Sequence, residues 1–134
     1  MSTYVLDASV AVAAVRRSEP SHAAARARLA LVLARMDHAI VPATFDAEVT
    51  SALVRAGVSP IAARRYLDHE LAARQVVTIG PRAARAISAM AARTRLRAAD
   101  AAYVWLASAR GLPLVTLDKN VGGKASGICP VEIL

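Results

Sequence analysis

The sequence predicts an α/β domain built on a parallel sheet, and three observations carry that expectation. Short runs of Val, Ile, Leu and Thr alternate with stretches of helical apolar spacing, the pattern of repeated strand–helix units. At 134 residues the chain has the length of one ordinary domain and can bury a real core. Hydrophobic residues make up 56% of it and aromatics only 4%, which suits Ala-rich helices lying close on a Val/Ile/Leu sheet.

Taken in order, the first strand is Thr3–Leu6, followed directly by Asp7 and a short helix from Ala8 to about Arg16. Ser18-Glu19-Pro20-Ser21 breaks that helix, and Ser21 is placed to cap the next. There Leu29, Val32, Leu33 and Met36 fall at i, i+3, i+4 and i+7, a core-facing stripe. Ala39-Ile40-Val41 forms the second strand, ended by Pro42. Thr44 can cap a third helix with Phe45, Val49, Leu53 and Ala56 inward and Gly57 as its stop. Ser59-Pro60 opens a fourth helix running to about Arg74, since Pro is favoured at the first helical position. Val76–Ile79 is the third strand. Gly80-Pro81 leads into a helix with Ala84, Ile87, Met90 and Ala91 inward, and Arg93, Arg95 and Arg97 form a basic connection to a helix over Ala98–Arg110. Gly111 and Pro113 end it before the strand Leu114–Leu117, which delivers Asp118. Gly122, Gly123 and Gly127 predict a flexible loop, and Val131–Leu134 a last edge strand. No repeat or second-domain boundary interrupts residues 1–134, so a single three-layer domain is expected.

Several classes are disfavoured. No stretch reaches the ~18 uninterrupted apolar residues of a membrane helix. The start lacks a basic leader, and Asp7 interrupts its apolar run, so a cleaved signal peptide is not expected. Cys129 is the only cysteine, which excludes an intrachain disulfide and a thiolate metal cage and fits a cytoplasmic setting. The formal net charge of +7, with 15 Arg against 2 Lys, favours a polyanionic partner, although Arg also simply solubilises helix faces.

Against that basic background four acids recur beside apolar runs: Asp7, Glu48, Asp100 and Asp118. In open α/β sheets ligands bind outside the carboxyl ends of the strands, and Asp7 and Asp118 stand at two such ends. Asp100 lies in Ala98-Ala99-Asp100-Ala101-Ala102-Tyr103-Val104-Trp105-Leu106-Ala107, a nearly apolar helix, and Asp is seldom buried unless paired or bound to metal. Each acid has a plainer reading. Asp7 could cap the first helix, Asp118 could close a turn, Asp100 could complement a helix dipole, and Glu48 could be a solvated charge. Their joint recurrence favours convergence. Clustered carboxylates repel, and a hard divalent cation with oxygen ligands, Mg²⁺ or Mn²⁺, offsets the repulsion. Such an ion supports in-line phosphodiester hydrolysis without a Ser or Cys nucleophile.

These residues resemble the PIN-domain ribonucleases, specifically the VapC-type toxins of type II toxin–antitoxin pairs. The resemblance lies in Val5-Leu6-Asp7-Ala8-Ser9, Ala47-Glu48-Val49, Asp100-Ala101-Ala102-Tyr103 with Leu106-Ala107, and Leu114-Val115-Thr116-Leu117-Asp118-Lys119, and it covers nearly the whole chain. It implies a Rossmann-like α/β/α sandwich with about five parallel strands, Mg²⁺- or Mn²⁺-dependent endoribonuclease activity on RNA, a cognate antitoxin and a homodimer. It also implies Asp7 and Asp100 as primary metal ligands, with Glu48 and Asp118 completing the set. Ser9 and Thr116 fall where they can hydrogen-bond a carboxylate or a substrate phosphate. Asn120 stands where some members carry a further acid, which leaves open whether one ion or two are held. Arg93, Arg95 and Arg97 are either the candidates for RNA phosphate contact or simply a solvated basic turn, with Lys124 on the glycine-rich loop as another candidate.

Other functions remain to be separated. A nucleic-acid- or partner-binding domain that no longer cuts would tolerate loss of an acid, and all four are intact. A non-toxin RNA-processing PIN enzyme would share the site. Haloacid-dehalogenase-type phosphatases and receiver domains also end their first strand in Asp, but both require a second acid that is missing here. The three His residues show no ligand spacing. Tyr103 and Trp105 are expected in the core.

Overall fold

The computed structural model describes all 134 residues, and its centre is a five-stranded, all-parallel sheet in the order β3-β2-β1-β4-β5. The strands are β1 (Thr3–Leu6), β2 (His38–Pro42), β3 (Gln75–Val77), β4 (Leu114–Thr116) and β5 (Val131–Ile133). β1 is central: Val5 is in register with Ile40 on one side and with Leu114 on the other. Strands covered on both faces read as continuous apolar runs, and accordingly Val5, Leu6, Val41, Leu114 and Val115 are all buried.

The helices are α1 (Ala8–Ala13), α2 (His22–Leu33), α3 (Phe45–Arg55), α4 (Pro60–Arg65, continued by a π-helical turn over Tyr66–Glu70), α5 (Pro81–Thr94), α6 (Ala98–Arg110) and α7 (Lys119–Ala125). They flank the sheet to give the α/β/α layering. α6 lies against β1, β2 and β4 and carries α5 with it, while α1 contacts α2, α3 and β4. The fit depends on small side chains. Ala101, Ala102 and Ala107 are buried on α6, leaving room for the fully buried ring of Tyr103. Phe45 and Leu53 hold α3 to the same core, each contributing ~1.5–3 kcal/mol by burial.

Several expectations need correction. α1 stops at Ala13, short of Arg16. α2 ends at Leu33 and the chain turns through a left-handed Arg35, so Leu29 and Val32 are buried while Leu33 and Met36, expected inward, are exposed. Ala56 and Ala84 also fall outside the buried core. Ser21 and Thr44 occupy N-cap positions without side-chain cap bonds, whereas Ser59 accepts from the Ala62 amide at 3.1 Å. The fourth helix ends before Arg74. That guanidinium instead donates to the carbonyls of Leu67 and Leu71 at 2.6 and 2.8 Å, tying off the π-helical turn. It also forms a bidentate pair with Asp46 at 2.8 and 2.6 Å.

The largest correction is at the glycines. Residues 119–125, expected as part of a flexible loop, form α7, and the Asp118 side chain caps it by accepting from the Asn120 and Val121 amides at 2.9 and 3.1 Å. A cap of this kind is worth ~1 kcal/mol and offsets part of the cost of two interior glycines, ~1 kcal/mol each. Gly122 has a packing reason: a Cβ there would stand 2.8 Å from Cδ1 of Ile133. The glycine lets α7 approach β5.

Candidate active site at the switch point

The strand order places β1 between β2 and β4, so the chain leaves the centre in opposite directions and a crevice opens outside the carboxyl ends of β1 and β4. A cavity of about 830 Å³ occupies that place, and Asp7, Ser9, Glu48, Arg97, Asp100 and Asp118 all line it. Four elements supply the acids: Asp7 follows β1, Glu48 comes from the first turn of α3, Asp100 from the first turn of α6, and Asp118 stands just past β4.

Asp7 is the deepest of the four, with 6% of its surface exposed. It occupies the N-cap position of α1, but its side chain makes no cap bond. Oδ2 instead accepts from the Thr116 hydroxyl at 2.6 Å and from the Ser9 hydroxyl at 2.9 Å. Those hydroxyls are themselves fixed. Ser9 Oγ accepts from the Leu117 amide at 3.1 Å, and Thr116 Oγ1 from the Asp118 amide at 3.0 Å. A hydrogen-bonded relay thus joins the ends of β1 and β4 under the cavity floor. Burial pushes the Asp7 carboxyl above its ordinary range, and the two hydroxyl bonds oppose that push.

Glu48 is half-buried. Its Oε2 accepts from the Tyr103 hydroxyl at 3.2 Å, while Oε1 is buried with no hydrogen-bond partner. Burial, opposed by the nearby Thr44 and Tyr103 hydroxyls and reinforced by the charges of Asp7 and Asp100, raises its carboxyl to about 7. Asp100 is raised by burial and then by the charges of Asp7 and Asp118, with Arg97 acting in the opposite sense. Three carboxyls in one cavity are thus shifted upward, first by burial and then by one another's charge.

The structure brings Arg97 and Ser9 to the cavity wall with the four acids. Thr116 lies fully buried beneath it, bonded to Asp7. Asn120 is not part of the lining, although its backbone amide donates to the Asp118 side chain. Arg93 lines a different recess, and Arg95 sits on the exposed left-handed turn between α5 and α6. Sequence reasoning did not single out Glu19, Ser51 or Arg55, which also line the cavity. Arg55 was legible in principle: Glu48, Ser51, Ala52 and Arg55 fall at i, i+3, i+4 and i+7, one face of α3. Tyr103, assigned to the core, is indeed fully buried, but its hydroxyl reaches Glu48.

The donor set suits a hard divalent cation, since it is made of carboxylate oxygens alone. As the side chains lie, no three of them gather around one point; they face each other across a shared cavity. The orphaned Oε1 of Glu48 and the raised carboxyls fit a cation that would neutralise them.

Fold and site together define a parallel α/β domain with an acid-lined crevice at its switch point. The PIN domain family model matches residues 4–125, and the chain belongs to the PIN-domain family. It is 42% identical over 122 residues to Ribonuclease VapC3 of Mycobacterium tuberculosis, covering 87% of this chain and 83% of that protein. Among solved structures, M. tuberculosis VapC20, a toxin that cleaves the sarcin–ricin loop, superposes with a TM-score of 0.74 at 16% identity, covering 95% of this chain and 96% of that one. VapBC2 from Rickettsia felis, bound to a DNA fragment from its promoter, gives 0.72 at 14% identity, with 98% of each chain covered. At these identities the two structures speak to the fold.

Proposed function

We propose that this chain is a metal-dependent endoribonuclease acting as the toxin of a toxin–antitoxin pair, with residues 1–134 working as one cytoplasmic domain. The convergence of Asp7, Glu48, Asp100 and Asp118 on one cavity at the carboxyl ends of β1 and β4 carries the reading. The 42% identity to a VapC ribonuclease supports the substrate class. A cognate antitoxin and a second copy of the chain are the partners proposed with it.

Asp7 and Asp100 would hold Mg²⁺ or Mn²⁺, with Glu48 and Asp118 completing the set directly or through water. The bound ion supplies positive charge that offsets carboxylate repulsion and stabilises charge developing on the phosphate. The protein's own groups do the rest. Ser9 and Thr116 fix the orientation of Asp7. Tyr103 holds Oε2 of Glu48, and the unpartnered Oε1 is the oxygen left to turn toward the cation. The water oxygen bonds to phosphorus as the opposite P–O bond breaks, the water giving its proton to solvent and the leaving ribose oxygen taking one from solvent, and Arg97 stands at the wall where it could contact the strand's phosphates.

The direct test is RNA cleavage by purified protein in Mn²⁺, with EDTA and Asp7→Asn as controls. Cleavage that both controls abolish is expected. Cleavage that survives Asp7→Asn would show contamination or a different site, and absence of cleavage on any RNA, together with absence of growth inhibition, would overturn the proposal.

A further inference from the structure

Outside the acid cavity, two unpaired cations share a recess. Arg93, in the last turn of α5, and Lys124, in the last turn of α7, line a shallow hollow of about 450 Å³ with Thr94, Ser126, Gly127 and Ile128. No carboxylate lines it, and neither cation belongs to the ion pairs of the molecule, which engage Arg16, Arg26, Arg28, Arg64 and Arg74. A cation at a helix C-terminus complements the dipole by ~0.3–1 kcal/mol. That accounts for one charge on each helix, not for both lining one hollow. The Thr94 hydroxyl is already occupied, donating to the Met90 carbonyl at 2.8 Å and accepting from the Leu96 amide at 3.3 Å. The donors left for a ligand are a guanidinium, an ammonium and the Ser126 hydroxyl. This is the chemistry of an anion with several oxygens.

Two short chain segments link the recess to the acid cavity. Lys124 lies six residues beyond Asp118 on α7, about 9 Å at 1.5 Å per residue, and Arg93 lies four residues before Arg97 at the cavity wall. We infer that this recess is a second phosphate subsite, holding a backbone phosphate of the same RNA strand a few nucleotides from the one at the acids. The inference rests on the nuclease reading above. It separates the basic connection into two jobs, Arg97 at the cut and Arg93 with Lys124 beyond it.

The test uses Asp100→Asn protein, which should bind RNA without cutting it, and single-stranded RNA of three and nine nucleotides in Mn²⁺. Affinity should rise with length. Adding Arg93→Ala and Lys124→Ala should shrink that rise about tenfold and lower the salt slope for the nonamer by about 0.7 for each phosphate no longer neutralised. Arg93→Lys with Lys124→Arg should restore most of it. Arg82→Ala with Arg85→Ala removes the same charge from exposed positions earlier on α5, and thermal melts confirm that every variant folds. An undiminished length effect in the Arg93/Lys124 variant, or an equal loss in the Arg82/Arg85 variant, would overturn the subsite and leave the nuclease standing. Failure to bind RNA at either length, with no cleavage by the parent protein, would remove both.

Discussion

Glu48 offers the sharpest check on the electrostatics of the cavity, through stability as well as activity. Its carboxyl is raised from 4.5 to about 7, first by burial. Between those values the native state binds more protons than the unfolded chain, so metal-free stability falls as pH rises from about 5 to 7.5 and the penalty is complete above the folded value. At about 1.4 kcal/mol per pH unit the ceiling is roughly 3 kcal/mol. Solvent reaches this half-buried group, and about 1–2 kcal/mol is the reasonable share. Glu48→Gln removes the charge while keeping an oxygen for the Tyr103 hydroxyl. In EDTA at pH 8 the variant should therefore melt higher than the parent, by roughly 3–8 °C for a domain of this size, and the two should converge near pH 5. Mn²⁺ should raise the parent's melting temperature by mass action and the variant's by less. Calorimetry or fluorescence melts over pH 5–8, with and without metal, read all of this. A variant that melts below the parent at pH 8, or a metal response identical in both, would refute the account of Glu48 as an uncompensated ligand.

Three other expectations concern residues around it. Thr116→Val takes the shorter of two hydrogen bonds from Asp7 Oδ2 and leaves the Asp118 amide without its acceptor, so metal affinity from titration should fall about 10–100-fold with the fold retained; unchanged affinity would reduce Thr116 to packing. Arg97→Ala should weaken RNA binding and lower its salt slope by about 0.7, and an unchanged slope would remove Arg97 from the interface. Arg74→Ala breaks the bidentate pair with Asp46 and uncovers two carbonyls, so a denaturant midpoint shift equivalent to about 2–3 kcal/mol is expected, without a change in metal affinity.

Most of the fold was legible because the central strands β1, β2 and β4 are apolar runs closed by Asp7, Pro42 and Asp118, and the helices between them repeat at helical spacing. The misreadings have physical causes. At Met36 the apolar spacing continued past the point where Arg35 turns the backbone left-handed, so periodicity outlasted the helix, while Leu33, the last helical residue, faces solvent. At Gly122 composition argued for a loop, but the Asp118 cap and close approach to Ile133 favour a helix, and both depend on contacts that composition does not show. In the site, the four acids could be picked out because each breaks an apolar pattern. Arg55 and the Tyr103 hydroxyl could not be picked out the same way. Arg55 looks like an ordinary charge closing a helix, and the hydroxyl acquires its role only when α6 lies across the sheet toward α3.

The four acids differ in how freely they can move. Asp7 is clamped by two hydroxyls, Asp118 by two amides, and Glu48 by a phenol on one oxygen, while the Asp100 side chain accepts no hydrogen bond. A crevice with three anchored sides and one loose one should behave like a vice with a single sliding jaw. Adjustment to a larger or smaller ion, or to the swelling of a phosphate under attack, would then fall to the first turn of α6 while the sheet ends stay still.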